Sequence, residues 1–253
     1  LDTAAELGAD FLATGHYIQK RVVNGSEELF RAADTDRDQS YFLFSLNRKQ
    51  LSALEFPLGS YKKDEVRALA HEFGLPVADK PDSQDICFVP SGNYAQTIEK
   101  LNPGAAEAGD IVDREGRVVG RHDGVIHFTV GQRRGLGGGY ADAFYVLKID
   151  AKRRQVVVGP KAALAQSRVV LRDVNWLGDP AALDSGMVGE IKLRSLHQPA
   201  PARLRAGAGG TIEVELQIPV AGVAPGQAGV IYQGDRVLGG GWIKASEPVA
   251  SAA

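Results

Sequence analysis

The spacing of apolar residues changes from helical to strand-like along this chain, and that change limits its fold more than any other feature. Positions 66, 69, 70 and 73 are apolar and fall on one face of a helix. Ser60 is a candidate N-cap for this helix, whereas Gly74 and Pro76 end it. From Ser167 onward, short apolar strands recur roughly every 10–15 residues between Gly-rich turns. The N-terminal part is therefore predicted to be α/β, and the C-terminal part a small antiparallel β-barrel.

The boundary between these two parts is predicted near residue 100. The stretch 102–106, with the sequence NPGAA, is typical of a linker. After it, strands are predicted at 110–112 and 118–119, followed by a hairpin of 144–149 and 155–158. We therefore predict an α/β domain at 1–100, a small central β-rich domain at 101–165, a barrel at 166–248 and a disordered tail at 249–253.

Cysteine content and charge exclude some classes of protein. Cys87 is the only cysteine, so the chain can form neither an internal disulfide nor a zinc site built from several cysteines. The sequence contains no apolar run of about 18 residues and no signal-peptide pattern, so we expect no membrane segment and no secretion. The single cysteine fits a reducing cytoplasm, and a monomer is the default expectation. The net charge is −2, yet residues 111–161 hold ten Lys/Arg against five Asp/Glu. This basic segment is equally typical of a solvated face and of a nucleic-acid contact.

Three motifs of the N-terminal part have both a structural and a chemical interpretation. Cys87 follows the polar run 80–85 and precedes an apolar segment, so it is either a buried small side chain or a partly exposed thiol. The stretch 14–17 (TGHY) follows a short strand at 11–14, where open α/β sheets bind ligands, although it can equally be an ordinary turn. The stretch 36–43 (DRDQSYFL) is either the start of a helix or a polar loop that faces a ligand.

Glycine-rich stretches in the later part of the chain are less specific. The stretch 131–139 (GQRRGLGGG) lacks the Gly-Lys-Ser/Thr of a phosphate-binding loop and does not connect a strand to a helix. It is therefore predicted to be either a basic loop that contacts an RNA backbone or a Gly-rich β-turn. The stretches 225–227 (PGQ) and 239–241 (GGG) are predicted to form turns and a bulge of the barrel.

The order and spacing of these motifs resemble those of the tRNA-specific 2-thiouridylases, which are tRNA-uridine 2-sulfurtransferases. The resemblance extends over essentially the whole chain. It implies part of a Rossmann-like adenine-nucleotide-binding (PP-loop) domain, a small central β domain that contacts tRNA, and a C-terminal antiparallel barrel. The matching stretches are 13–17, 37–43, 63–67, 74–76, 82–88, 131–137, 225–227 and 238–241.

The resemblance also implies roles for individual residues. Cys87 matches the cysteine that carries sulfur as a persulfide, and Gly15 matches a backbone position beside ATP, which would bind with Mg²⁺. Ser195 stands where the family usually has an aromatic residue, so of the pair Arg194–Ser195 the arginine matches better. The positions that match tRNA contacts are His16, Arg37, Asp38, Gln39, Arg194, Ser195 and Gln227.

The implied reaction replaces the C2 oxygen of uridine 34 of a tRNA with sulfur. ATP would adenylate that oxygen, and sulfur from the Cys87 persulfide would then reach C2, directly or as hydrosulfide released by a second cysteine. A cysteine desulfurase or sulfur-relay protein would supply the persulfide. The sequence lacks the family's Ser-Gly-Gly-Val-Asp-Ser type loop and its first catalytic cysteine. We therefore expect this chain to be an N-terminally truncated piece of a longer enzyme that is inactive by itself.

Other functions remain compatible with parts of the pattern. A non-catalytic tRNA- or RNA-binding protein would need the barrel and the basic segment, but it would have no need of Cys87. An amidotransferase-type ATP-pyrophosphatase acting on a small molecule would not require the long β-rich half of the chain. A scaffold protein accounts for the fewest of the motifs.

Overall fold

A computed structural model describes residues 1–76, 78–79, 106–136 and 143–248. Cys87, most of the predicted linker and the predicted tail lie outside these residues. The helices are α1 (Asp2–Glu6), α2 (Ser40–Leu43), α3 (Arg48–Ser52), α4 (Lys63–Glu72) and α5 (Pro180–Ser185). The strands are β1 (Leu12–Ala13), β2 (Gln19–Val23), β3 (Ser26–Phe30), β4 (Leu54–Glu55), β5 (Gly109–Val112), β6 (Val118–His122), β7 (Phe144–Asp150), β8 (Gln155–Pro160), β9 (Ala165–Trp176), β10 (Met187–Lys192), β11 (Ala200–Ala206), β12 (Ile212–Ala221), β13 (Ala228–Gln233) and β14 (Arg236–Pro248).

The chain divides into two compact units. The first unit comprises the described residues of 1–80, 168–218 and 225–246, and the second those of 81–167, 219–224 and 247–253. The N-terminal α/β segment and most of the barrel therefore belong to the same compact body. The predicted domain boundaries at residues 100 and 165 stay predictions. Within the described part of the chain, no helix is long and apolar enough to cross a membrane.

The N-terminal segment contains the predicted helix, a short parallel sheet and a hairpin that was not predicted. The helix α4 begins at Lys63, and not next to Ser60, because the backbone N–H of Lys62 donates to Glu65 Oε2 (2.6 Å) and so closes its first turn. Strands β1 and β4 pair in parallel. The hairpin β2–β3 turns at Asn24 and Gly25, which have φ of 51° and 77°, as a two-residue type I′ turn requires.

The barrel is closed by six strands in the order β13, β10, β11, β12, β9 and β14, with β13 also paired to β14. Its interior is lined by alternate residues, as in β12, where Ile212, Val214 and Leu216 are buried and the residues between them are exposed. The strand β14 additionally pairs with β3, so the N-terminal hairpin continues the sheet of the barrel to eight strands. Strand β11 and helix α5 were not predicted from the sequence.

The N-terminal segment and the barrel share one hydrophobic core. Leu29, Tyr41 and Phe44 from the N-terminal segment pack with Val230 and Tyr232 of β13. Burial of such side chains contributes about 25 cal/mol per Å² of apolar surface removed from water, so this shared core stabilises both parts together.

Polar contacts accompany the shared core. Asn175 Nδ2 donates to the carbonyls of Phe44 (2.7 Å) and Leu46 (2.9 Å), and Arg48 Nη2 donates to the carbonyl of Leu177 (2.6 Å). These bonds fix the loop between α2 and α3 against the barrel.

The glycines at 239–241 lie within β14 and not in a turn. A bulge interrupts the β13–β14 ladder at Leu238, between the pairs Ile231–Gly239 and Tyr232–Val237, which confirms the predicted bulge. A Cβ atom on Gly239, whose φ is 128°, would lie 2.1 Å from the carbonyl oxygen of Asn175. Glycine is therefore required for β14 to approach β9 this closely.

The second unit contains a four-stranded sheet in the order β6, β5, β8 and β7. Strands β5 and β8 are parallel, whereas the other two pairs are antiparallel. Ile111, Val146, Val156 and Val158 form its core together with Leu136. The predicted hairpin of β7 and β8 is confirmed.

Candidate nucleic-acid interface

The loop that follows β1 carries the first two predicted site residues. Gly15 and His16 are both exposed. Thr14 Oγ1 is hydrogen-bonded to His16 Nδ1 and accepts the backbone N–H of His16 (3.2 Å), which holds the ring against its own backbone. A Cβ atom on Gly15 would meet only Leu58 Cδ1, at 3.6 Å, among the described residues. A larger side chain would therefore not disturb the fold at this position. With glycine, a ligand has room to approach the backbone closely.

Gln39 joins this loop to the next predicted stretch. Its side-chain Oε1 accepts the backbone N–H of Tyr17 (2.8 Å), and its own backbone N–H donates to the carbonyl of Tyr17 (2.9 Å). Arg37, two residues before Gln39, is exposed, and its backbone N–H donates to the carbonyl of Asp34 (3.2 Å). The two sequence motifs at 14–17 and 37–39 thus form a single surface.

The carboxylate of Asp38 stabilises the loop that carries Arg37 and Gln39. Its Oδ1 accepts the backbone N–H groups of Ala32 (3.2 Å) and Ser40 (3.1 Å), and its Oδ2 accepts the hydroxyl of Ser40 (2.8 Å). Ser40 is fully buried, and its Oγ also lies 3.0 Å from the hydroxyl of Tyr232 on β13. The carboxylate therefore holds the start of α2 and links it to the barrel.

Tyr41 brings the barrel's predicted residues to the same place. Its hydroxyl donates to the carbonyl of Ala228 (3.0 Å), directly after the exposed Gln227. Burial raises the pKa of Tyr41, and the hydrogen bond to Ala228 and the positive charge of Arg194 oppose that rise. Lys192 Nζ lies 5.9 Å from the centre of the Tyr41 ring. Tyr41 is therefore the point at which the N-terminal motifs meet both the 225–227 and the 192–195 stretches.

The loop after β10 carries the remaining predicted residues. Arg194 and Ser195 are half-buried, and the carbonyl of Arg194 accepts the backbone N–H of His197 (3.1 Å). Burial lowers the pKa of His197, and the charges of Arg194 and Lys192 lower it further. His197 is therefore neutral near pH 7, while its neighbours carry positive charge.

Comparisons with known proteins show which domains and which family this chain matches. Residues 1–91 match the tRNA methyl transferase HUP domain, 98–160 the tRNA methyl transferase PRC-barrel domain, and 166–243 the aminomethyltransferase beta-barrel domain. The tRNA-specific 2-thiouridylase MnmA of Rhodopseudomonas palustris is 56% identical over 256 residues, which cover 98% of this chain and 64% of that protein. The MnmA of Rhodospirillum centenum is 55% identical over 255 residues, covering 98% and 64%. This chain belongs to the tRNA-specific 2-thiouridylase family.

Membership of the 2-thiouridylase family agrees with the predicted fold class. The three matched domains are an α/β domain, a small β domain and a C-terminal barrel, in the predicted order. The chain spans about 64% of the length of the 2-thiouridylases just named.

The first unit holds every predicted site residue that the structure describes. Hydrogen bonds of Gln39 and Tyr41 link the 14–17 loop, the 37–41 stretch and the backbone next to Gln227, and the charge of Arg194 acts on Tyr41. Cys87 lies outside the described residues. Within the described ranges, no group of three or more His, Cys, Asp or Glu side chains is placed to hold a metal ion.

Several residues of this network were missed by sequence reasoning. Ser40 and Tyr41 belong to the 37–43 motif, so the sequence indicated that they lie near the site, but it did not indicate their hydrogen bonds to the barrel. Lys192 and Tyr232 lie in strands of the barrel, where the sequence indicates only packing. Arg31 follows β3 directly and stacks its guanidinium on the Tyr232 ring at 4.2 Å, a contact with no local sequence signal.

The basic segment lies in the second unit and is partly neutralised. Arg117 pairs with Asp113 (2.6 Å), Arg121 pairs with Asp110 (3.3 Å), and Arg154 pairs with Glu107. The described part of the Gly-rich stretch forms a turn, because Gln132 Oε1 accepts the N–H of Thr129 (2.9 Å) and Gln132 Nε2 donates to the carbonyl of Arg134 (2.8 Å). Residues 131–136 therefore include turns, and contact of this stretch with an RNA backbone stays a prediction.

Proposed function

We propose that this chain provides the tRNA-recognition surface and the persulfide cysteine of an ATP-dependent 2-thiouridylase. The observation that carries the proposal is the set of hydrogen bonds that joins the Gly15–His16 loop to Gln39, and Ser40 and Tyr41 to the barrel strand that follows Gln227, in the unit that also holds Arg194. A surface built from segments so far apart in the sequence fits a large ligand better than a small molecule. Family membership supports tRNA as that ligand.

The roles proposed for individual residues rest on the resemblance to the family, and the geometry is compatible with them. His16, Arg37, Gln39, Arg194, Ser195 and Gln227 would contact the tRNA. Asp38 would act mainly by fixing the loop between Arg37 and Gln39, because its two oxygens already accept three hydrogen bonds. The backbone at Gly15 would lie against ATP, which the open space beside its Cα allows. Mg²⁺ would accompany the phosphates of ATP. The second unit would contact the tRNA backbone through its basic residues.

The proposed reaction has two stages. Adenylation by ATP converts the C2 oxygen of uridine 34 into a good leaving group and releases pyrophosphate. The terminal sulfur of the Cys87 persulfide then reaches C2, and AMP departs with the oxygen. A persulfide is more acidic than a thiol, so it is anionic and nucleophilic near neutral pH. The sulfur–sulfur bond is cleaved by a second thiol, which leaves a disulfide that needs reduction.

We further propose that the 253-residue chain does not thiolate tRNA by itself. Its sequence contains neither the family's pyrophosphate-binding loop nor a second cysteine. We also propose that the enzyme is a cytoplasmic monomer and that a cysteine desulfurase or sulfur-relay protein is its persulfide donor.

The test compares this chain with a protein in which it replaces the corresponding region of the Rhodopseudomonas palustris relative. Each is incubated with unmodified tRNA, ATP and a persulfide donor, and 2-thiouridine is measured by mass spectrometry. We expect product from the hybrid, none from its Cys87→Ser variant, and none from the chain alone. Product from the Cys87→Ser hybrid would contradict the role of Cys87. Tight tRNA binding without product from any of the proteins would favour the RNA-binding alternative.

A further inference from the structure

Three cationic side chains, Arg31, Lys192 and Arg194, lie in the unit that carries the proposed tRNA surface, and all three are half-buried. Arg31 stacks on the ring of Tyr232, Lys192 lies beside the ring of Tyr41, and the charge of Arg194 acts on Tyr41. Asp38 is the carboxylate that acts on Lys192 and Tyr232. Its single negative charge cannot balance both Lys192 and Arg31.

Two of these cations lack a partner of their own among the described residues. Arg31 Nη2 is buried and makes no hydrogen bond within the described part of the chain. Neither Arg31 nor Lys192 forms a salt bridge with a described carboxylate, and their other side-chain contacts are with the rings of Tyr232 and Tyr41. A guanidinium nitrogen that is removed from water without an acceptor costs free energy, so such a group indicates an acceptor that binds from outside.

The surroundings of the cluster indicate the chemistry of that acceptor. Arginine and lysine together are the usual ligands of phosphate oxygens in proteins. Phe42 packs edge-on against Tyr41 with ring centres 5.5 Å apart, yet 63% of its surface is exposed. An exposed aromatic ring next to a cationic cluster is typical of sites that bind single-stranded nucleic acid, where the ring stacks on a base and the cations bind the backbone.

We propose that Arg31, Lys192 and Arg194 form a binding site for one phosphodiester group of single-stranded RNA, with Phe42 stacking on a neighbouring base. The assignment to RNA rests on the proposed function, whereas the phosphate chemistry rests on the cluster itself. Burial lowers the pKa of Lys192, Asp38 opposes that effect and Arg31 adds to it. A bound phosphodiester would supply negative charge that stabilises the ammonium form of Lys192.

The first test measures binding of a fluorescent anticodon stem-loop RNA to the chain by anisotropy over a series of salt concentrations. We expect Lys192→Met to weaken binding by roughly tenfold and to lower the salt slope by about 0.7–0.9, as loss of one phosphate contact requires. Lys192→Arg should restore most of both. The control is Lys244→Met, on the exposed face of β14 in the same unit, which should change neither. Equal behaviour of the Lys192→Met and Lys244→Met variants would overturn the proposal.

A second measurement separates the two sources of phosphate and does not depend on RNA binding. Inorganic phosphate should raise the thermal midpoint of the wild-type chain, relative to chloride at equal ionic strength, and Lys192→Met should abolish the increase. If the wild type does not bind the RNA but shows this Lys192-dependent shift, the proposed function and the RNA assignment fail while the phosphate site stands. A shift that is unchanged in Lys192→Met would refute the phosphate site itself. A Lys192-dependent loss of ATP binding with unchanged RNA affinity would refute the RNA assignment.

Discussion

The buried hydroxyl pair of Ser40 and Tyr232 gives the most specific stability prediction. In Tyr232→Phe, Ser40 Oγ keeps its bond to Asp38 and loses only the 3.0 Å contact to the phenol, so we expect a cost of about 1 kcal/mol. In Ser40→Ala, both the Tyr232 hydroxyl and Asp38 Oδ2 lose their partner in a buried site. Each orphaned group costs about 1–3 kcal/mol, so we expect about 2–6 kcal/mol in total.

The double variant distinguishes a network from two independent contacts. Once Ser40 is alanine, removing the Tyr232 hydroxyl removes an orphaned group, so the second change should cost nothing or restore some stability. The coupling free energy between the two changes should therefore be about 1 kcal/mol or more. Costs that add within about 0.3 kcal/mol would refute the network.

The assay follows from the position of the tryptophans. The chain has two, Trp176 and Trp242, and both belong to the first unit. Urea unfolding followed by tryptophan fluorescence therefore reports on the unit that contains the network. Tyr145→Phe, which removes a phenol hydroxyl in the second unit, is the matched control and should leave this transition unchanged.

Three further predictions concern the barrel and the second unit. Gly239→Ala should destabilise the first unit by several kcal/mol in the urea assay, because its Cβ would lie 2.1 Å from a backbone oxygen. The control is Gly234→Ala, which has open space around its Cβ and should cost about 1 kcal/mol in the same assay. Asn175→Ala should cost about 1–3 kcal/mol in that assay, because the carbonyls of residues 44 and 46 lose their shared donor; a neutral result would contradict the role given to this amide. Burial raises the pKa of Asp113, but the hydrogen bonds and charge of Arg117 outweigh it and hold the pKa below its ordinary value of 3.8. The carboxylate therefore stabilises the β5–β6 turn above that pH and loses this effect as the pH falls. At pH 7, hydrogen exchange of the turn amides should be faster in Asp113→Asn than in the wild type. In acid, this difference between the two proteins should vanish.

Local sequence patterns were sufficient for most secondary structure. Helix α4 was predicted because its apolar spacing is unambiguous, although its start shifted to Lys63 where Glu65 caps the backbone. Strand β12 was predicted because it alternates strictly. The hairpin β2–β3 was missed although Asn24-Gly25 is a strong turn signal, because the polar residues of β2 hide its strand character. Strand β11 was missed since Pro201 and two arginines are unusual in a barrel strand.

Long-range pairing and the support of the site were beyond sequence reasoning. Nothing near Phe30 indicates that it pairs with Arg236, because the two residues lie at opposite ends of the chain. The motif order identified His16, Gln39 and Gln227, yet it gave no reason to place Tyr232 beneath them. Buried polar contacts of this kind depend on the packing of distant strands, and they become visible only once the core is assembled.

The pairing of β3 with β14 also has a consequence for the order in which the protein folds. The ribosome releases β3 long before β14 is made, so β14 can join the β2–β3 hairpin only much later in translation. Contacts between residues so distant in sequence slow folding and leave an unpaired strand edge in the nascent chain. A ribosome-stalled chain that ends before Arg236 is therefore expected to expose β3, to bind chaperones and to be cut readily by proteases within residues 14–40. The surface that carries His16 and Gln39 is therefore completed only after β14 is made, although its own residues are synthesised much earlier.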